Sequence, residues 1–285
     1  MESTTQFVDT VEAETRTMPC WHFKVRMPSL RPRRCQEGFH SDTFFSDTRS
    51  TRGFECGQVF VGAKSSYTYV DMMKGKGYAP SALRNFIRDV AAPSYIHTDN
   101  AYEEVLGEWE EVCKTYCIPQ IASEPHHQHQ NKAERRIQDI KRRSRLLMQL
   151  NDAPEKYWDF AVELATEYLN HIATRKLGWK TPHECHFGET PDLSVFHFLF
   201  YEQIHYLELN ASSPKPNMLP GRFLGIARTT GDAFTFYILT KSEKGRDVIL
   251  TRSVVRKHLQ DAPQTFAVYP DREERAEESI IAQVD

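Results

Sequence analysis

The chain has 285 residues, 40% of them apolar and 26% charged, with a formal net charge of −3. That length accommodates a full core as two domains, or as one domain with large additions, and the composition excludes a fibrous or wholly disordered chain. A charge this close to balance also excludes a uniformly basic nucleic-acid binder, so any such binding has to come from concentrated patches.

Residues 1–37 show no convincing period, and HFKVRMPSLRPRR (22–34) reads as a basic arm. From Phe39 the character changes. FHSDTFF, CGQVFVG and SYTYVDMM are β-rich and separated by polar, turn-rich connections, which predicts three antiparallel strands. Pro80 then opens a helical segment with Leu83, Phe86, Ile87 and Val90 at helical spacing. SYIHTDN (94–100) is a short buried strand ending in Asp99, AYEEVLGEWEEVCKTYC an amphipathic helix, and IPQIAS a brief strand. Strands and helices alternating in this way predict an α/β arrangement around a mixed sheet.

The next element carries the densest positive charge in the chain. Between Asn131 and Arg145 seven Lys or Arg stand against two acids, Glu134 and Asp139. Ala133, Ile137, Ile140, Ser144, Leu147 and Met148 recur at helical spacing and predict a buried stripe, while Glu134, Gln138, Lys141 and Arg145 fall on another face. An anionic partner is implied. A further helix from Pro154 to about Arg175 closes the domain, and WKTPHECHFGETPDL reads as a loop. From Leu219, GRFLGIA, FTFYILT and VILTRSVVRKH, with a Gly231-Asp232 turn signal, predict a small barrel or curled sheet of about five strands within residues 196–262. The remaining boundaries are a linker at 177–195 and a charged tail at 263–285.

Three acids stand on separate predicted elements: Asp42 within a strand, Asp99 at a strand end and Glu134 near a helix start, with separations of 57 and 35 residues. Two-metal phosphoryl transfer needs carboxylates from a rigid frame around one spot, because hard cations prefer oxygen ligands. Asp47 is a rival for the first position but sits among turn residues, where geometry is held less firmly.

HSDTFF, IHTDN and EPHHQHQNKAERRIQ together resemble the three catalytic blocks of the integrase of copia-type long-terminal-repeat retrotransposons, in the retroviral integrase superfamily. The resemblance runs over about residues 36–262 and takes in WDFAVELATEYLNHIATRKLGWKTPHE and GRFLGIARTTGDAFTFYILT. It implies an RNase H-like mixed sheet flanked by helices over 38–176, followed by the barrel-like region. It implies that Asp42, Asp99 and Glu134 are catalytic and hold two Mg²⁺ or Mn²⁺ ions. The implied activity is 3′-end trimming and strand transfer of cDNA ends into target duplex, by a homo-oligomer when the protein is complete. Gln130, Asn131, Lys132, Arg135, Gln138, Lys141, Arg142 and Arg145, with Arg252, Arg256 and Lys257 in the β-rich region, are the expected DNA contacts.

Two departures accompany the resemblance. The family's N-terminal zinc module has paired histidines and a CxxC, and Cys20, His22 and Cys35 do not supply that spacing, so no zinc site and an N-terminally truncated chain are expected. Lys132 also stands where relatives often have a small residue. His126, His127 and His129, with Cys113 and Cys117, offer a separate metal reading, weaker than flexing loop histidines and core-facing cysteines. The six cysteines point to a reducing compartment. No apolar run reaches the ~20 residues of a membrane span, so nucleus or cytoplasm is expected. A catalytically inactive DNA-binding relic is the alternative function, and a stand-alone RNase H-like nuclease a third.

Overall fold

Phe39–Phe45 (β1) is the strand around which the first sheet is built. It pairs antiparallel with β2 (Cys56–Gly62), which pairs antiparallel with β3 (Thr68–Met73). On its other side it pairs parallel with β4 (Ile96–Thr98), itself parallel to β5 (Gln120–Ala122). The order β3-β2-β1-β4-β5, three antiparallel strands and then two reached through helical crossovers, is the RNase H-like mixed sheet. The computed structural model describes residues 33–98, 106–122, 132–208, 217–228, 230, 234–242 and 245–257. Most of the N-terminal arm, the acidic tail, the three loop histidines, His258 and the Gly231-Asp232 turn lie outside the described residues.

Every residue of β2 is buried because helices cover both faces of the sheet. On one side, α1 (Ala79–Asp89) and α2 (Leu106–Thr115) pack Leu83, Phe86, Trp109 and Val112 against Phe39, Phe60 and Ile96. Phe60 stacks on Phe86 with ring centroids 4.5 Å apart and planes at 9°. Burying aromatic side chains of this size contributes about 1.5–3 kcal/mol each, which makes this cluster a main source of stability. On the other side, α3 (Lys132–Leu150) sets Ala133, Ile137 and Ile140 against Phe44, Val59 and Val61. Gly57 is required there, since a Cβ would stand 2.7 Å from the Phe44 ring.

Helix α4 (Trp158–His171) is buried on nearly all sides. Trp158, Val162 and Leu169 face the first sheet, while Phe160, Ala161 and Leu164 face the second. Asn170 pins its end to β3, accepting from the Thr68 amide at 2.8 Å and donating to the Thr68 carbonyl at 2.7 Å. The stretch expected as a loop after it contains α5 (Pro182–Phe187). Its capping signals are local: the Thr181 side chain accepts from the Glu184 amide at 3.0 Å, Pro182 sits in the first turn, and Gly188 ends the helix at φ 78°.

The second sheet has five antiparallel strands, β6 (Gln203–Leu207), β7 (Met218–Ile226), β8 (Phe236–Lys241), β9 (Asp247–Arg252) and β10 (Val255–Lys257), in the order β10-β6-β7-β8-β9. Its edges are joined by only Ser253 and Val254. Two such residues carry the chain at most about 11 Å, whereas the edges of a flat five-stranded sheet are about 19 Å apart. The sheet is therefore strongly curled, as the barrel-like expectation requires. A register shift between Phe223 and Gly225, with Gly225 at φ 149°, supplies the bend.

Candidate active site

Alternation along β1 decides which way its acid points. Phe44 lies in the core beneath α3, so His40 and Asp42 share that face, while Ser41 and Thr43 turn to the opposite side. There Gln58 Nε2 donates to Ser41 Oγ at 2.7 Å and Thr43 Oγ1 donates to Gln58 Oε1 at 2.6 Å. These bonds flank Asp42 on both sides and fix the register that presents it. Asp42 is half-buried, and its Oδ1 accepts from the Thr43 amide at 2.8 Å.

Helix α3 runs alongside β1 in the same direction. Lys132 Nζ donates to the Ala63 carbonyl, next to the Gly38 end of β1, and Lys141 Nζ lies 5.7 Å over the Phe44 ring towards the other end. Glu134 and Asp42 both fall between these anchors. Arg136 donates to the Ser66 carbonyl at 3.2 Å, so the flank bearing Lys132 and Arg136 is the one turned to the β2–β3 connection. At about 100° per residue, Glu134 and Gln138 lie about 200° around from Lys132 and Arg136. The Glu134 row, with Lys141, therefore takes the opposite flank, towards β1 and β4.

Strand β4 delivers the chain to the same region. Its pairing with β1 runs Phe39↔Ile96, His40↔His97, Ser41↔Thr98. Asp99, the residue after Thr98, lies outside the described residues, as do Gln130 and Asn131. Nothing in the sequence marks His40 and His97, because the signal is their cross-strand register and not their spacing. Their Nδ1 atoms are 3.2 Å apart in the core, one donating and the other accepting. Burial first, then His97 and Lys132, push the His40 imidazole down to about 4, which keeps it neutral at physiological pH.

The other expected DNA contacts divide in two. Arg135, Gln138, Arg142 and Arg145 are exposed along α3, and Lys141 is half-buried over Phe44. Arg252 is engaged within the second sheet, donating to the Leu207 carbonyl at 3.3 Å and pairing with Glu208 at 3.3 Å; Arg256 and Lys257 are exposed on β10. Asp47 is exposed in the connection after β1, Cys113 is buried and Cys117 exposed. Among the described residues no group of three or more His, Cys, Asp or Glu is placed to hold a metal ion, and no helix is long and apolar enough to cross a membrane.

No protein-family model matches the chain, and no curated protein matches it. Solved structures do. The simian T-cell lymphotropic virus intasome in complex with PP2A regulatory subunit B56 gamma is similar at 17% identity, over 82% of this chain and 85% of that chain, with a TM-score of 0.44. The HTLV-2 integrase catalytic core domain in complex with magnesium is similar at 22% identity, over 55% of this chain and 99% of that one, TM-score 0.43. The BIV integrase catalytic core domain is similar at 19%, over 53% and 93%, TM-score 0.43.

Proposed function

We propose that this chain is an integrase of copia type, which trims the 3′ ends of a retrotransposon's cDNA and transfers them into a target duplex. The observation that supports this reading best is the convergence of elements: Asp42 is locked on the α3 side of β1, Glu134 lies on the α3 flank turned to β1 and β4, and Asp99 follows the last residue of β4. Three carboxylates contributed by a strand, a strand end and a helix are the donor set that suits hard divalent cations.

Asp42 and Glu134 thus fit as ligands for Mg²⁺ or Mn²⁺, with Asp99 as the third. Two such ions, when bound, would supply Lewis-acid activation of the attacking oxygen and charge stabilisation of the leaving one. The protein's own part is positional. Asp42 is held by its neighbours' bonds to Gln58, and Glu134 by the Ala133, Ile137 and Ile140 stripe beneath it. Arg135, Arg142 and Arg145 supply exposed positive charge for the DNA backbone, and Lys141, half-buried over Phe44, adds to it. On this reading the substrate is double-stranded DNA, the complete protein is a homo-oligomer, and the compartment is nucleus or cytoplasm.

The test is strand cleavage and transfer by the recombinant chain, with Mn²⁺ and a terminal-repeat duplex. Products from the wild type, and none from Asp42→Asn, Asp99→Asn or Glu134→Gln with duplex affinity unchanged, are expected. Undiminished products in any one of these variants would refute the assignment. Duplex binding by the wild type without metal-dependent product would make the chain a DNA-binding relic.

A further inference from the structure

The turn between α4 and α5 has features that the fold does not use. Thr174 and Lys180 form an isolated antiparallel bridge, and the Trp179 amide donates to the Thr174 carbonyl at 3.0 Å, closing Arg175–Trp179 into a tight loop. Gly178 and Trp179 both adopt φ 65°. That left-handed conformation is natural for glycine and uncommon for a bulky side chain. It holds the indole out from the surface, where Trp179 is 72% exposed, more than any other large apolar side chain among the described residues. Placing a large aromatic ring in water on strained backbone gives the folded chain nothing, which makes the position a candidate for recognition.

Its surroundings indicate what is recognised. Arg175 and Lys176 are exposed within the loop, and Lys180, 3.8 Å from Glu184, ends it. Lys176 lies within electrostatic reach of Lys132 at the start of α3. The turn is also tied to that end of the helix through packing. His186 of α5 bonds Glu37 at 2.6 Å, Glu37 accepts from the Lys64 and Ser65 amides, and the preceding residue, Ala63, holds Lys132. Positive charge therefore continues from α3 to the indole.

A lone aromatic ring set among cations suits a polyanion that also carries flat faces. Bases inside a duplex are already stacked and offer none, whereas an unpaired base does. We propose that Trp179 is a stacking platform for an unpaired base at the end of the DNA this chain binds, with Arg175 and Lys176 on the adjoining phosphates. This inference rests on the DNA-processing reading above.

The experiment is fluorescence-anisotropy binding of the full chain to three labelled duplexes. One is blunt, one carries two unpaired nucleotides at one end, and one carries the same extension with abasic sites, which keeps the phosphates and removes the bases. Wild type should bind the based extension roughly five- to thirtyfold more tightly than the abasic one. Trp179→Ala should abolish that difference and Trp179→Phe should keep most of it. Arg175→Gln with Lys176→Gln should preserve the difference while lowering the salt slope by about 1.5. Equal wild-type affinity for based and abasic extensions, or discrimination surviving in Trp179→Ala, overturns the inference and leaves the DNA reading standing. Failure of the wild type to bind any of the three overturns both.

Discussion

Substituting Glu37 by Gln should expose how much stability one buried carboxylate supplies to the corner where β1, the β2–β3 connection and α5 meet. Glu37 is 7% exposed and accepts from Ser65 Oγ at 2.6 Å, the Ser65 and Lys64 amides at 3.0 Å, and His186 Nδ1 at 2.6 Å. Burial raises its pKa, but the bonds from His186 and Ser65 outweigh it and hold the carboxyl at about 2, against an ordinary 4.5. That difference is worth on the order of 3 kcal/mol at neutral pH. Because the folded-state pKa is the lower one, the contribution is fully present above about pH 4.5 and is lost as pH falls through about 2. Glu37→Gln should therefore lower Tm at neutral pH by roughly 4–10 °C. Urea unfolding of both proteins should show the gap shrinking by more than half by about pH 3. A gap unchanged between neutral pH and pH 3, or no gap at neutral pH, would refute this account of the corner.

Other perturbations read other parts of the structure. Arg52 pairs with the fully buried Asp159 and with Glu163 at 2.7 Å, and Asp159 Oδ1 has no partner among the described residues. Arg52→Met should cost about 3–5 kcal/mol in chemical denaturation by stranding a buried charge, and adding Asp159→Asn should recover part of it. Gly57→Ala drives a methyl into the Phe44 ring and should destabilise by roughly 1–3 kcal/mol, measured as a lower urea midpoint. Lys141→Gln with Arg145→Gln should reduce the salt slope of duplex binding by about two, with little change in sequence preference.

Much of the first sheet was legible because each element announces itself locally. The three β-rich segments became β1 to β3, Pro80 sits in the first turn of α1, and the stripe read from Ala133 to Met148 is the buried face of α3. In the second sheet, β6 falls within the span expected to hold about five strands but leaves little local trace: its Ile204 and Tyr206 alternate inward, but the strand follows the irregular aromatic run FHFLF, and its partners, β7 and β10, come later in the chain. Helix α5 was hidden behind its prolines and glycine, although Thr181, Pro182, Glu184 and Gly188 are its caps. The candidate acids could be chosen from sequence because each marks an element of the sheet or helix. The contacts around β1 could not. The Gln58 bonds that lock Asp42, the His40–His97 contact and the Glu37–His186 pair depend on cross-strand register or on residues far apart in the chain, where no local period leaves a trace.

Iron-directed cleavage of the protein's own backbone is the most direct test of the claim that three acids meet. Fe²⁺ takes the place of Mg²⁺ at oxygen-rich sites, and with peroxide and ascorbate it cuts the chain beside wherever it is bound. Cuts near residues 42, 99 and 134 together, all suppressed by excess Mg²⁺ and all lost in Asp42→Asn, are the expected result. Cuts at one of these positions without the other two, or a pattern unaffected by Asp42→Asn, would contradict it.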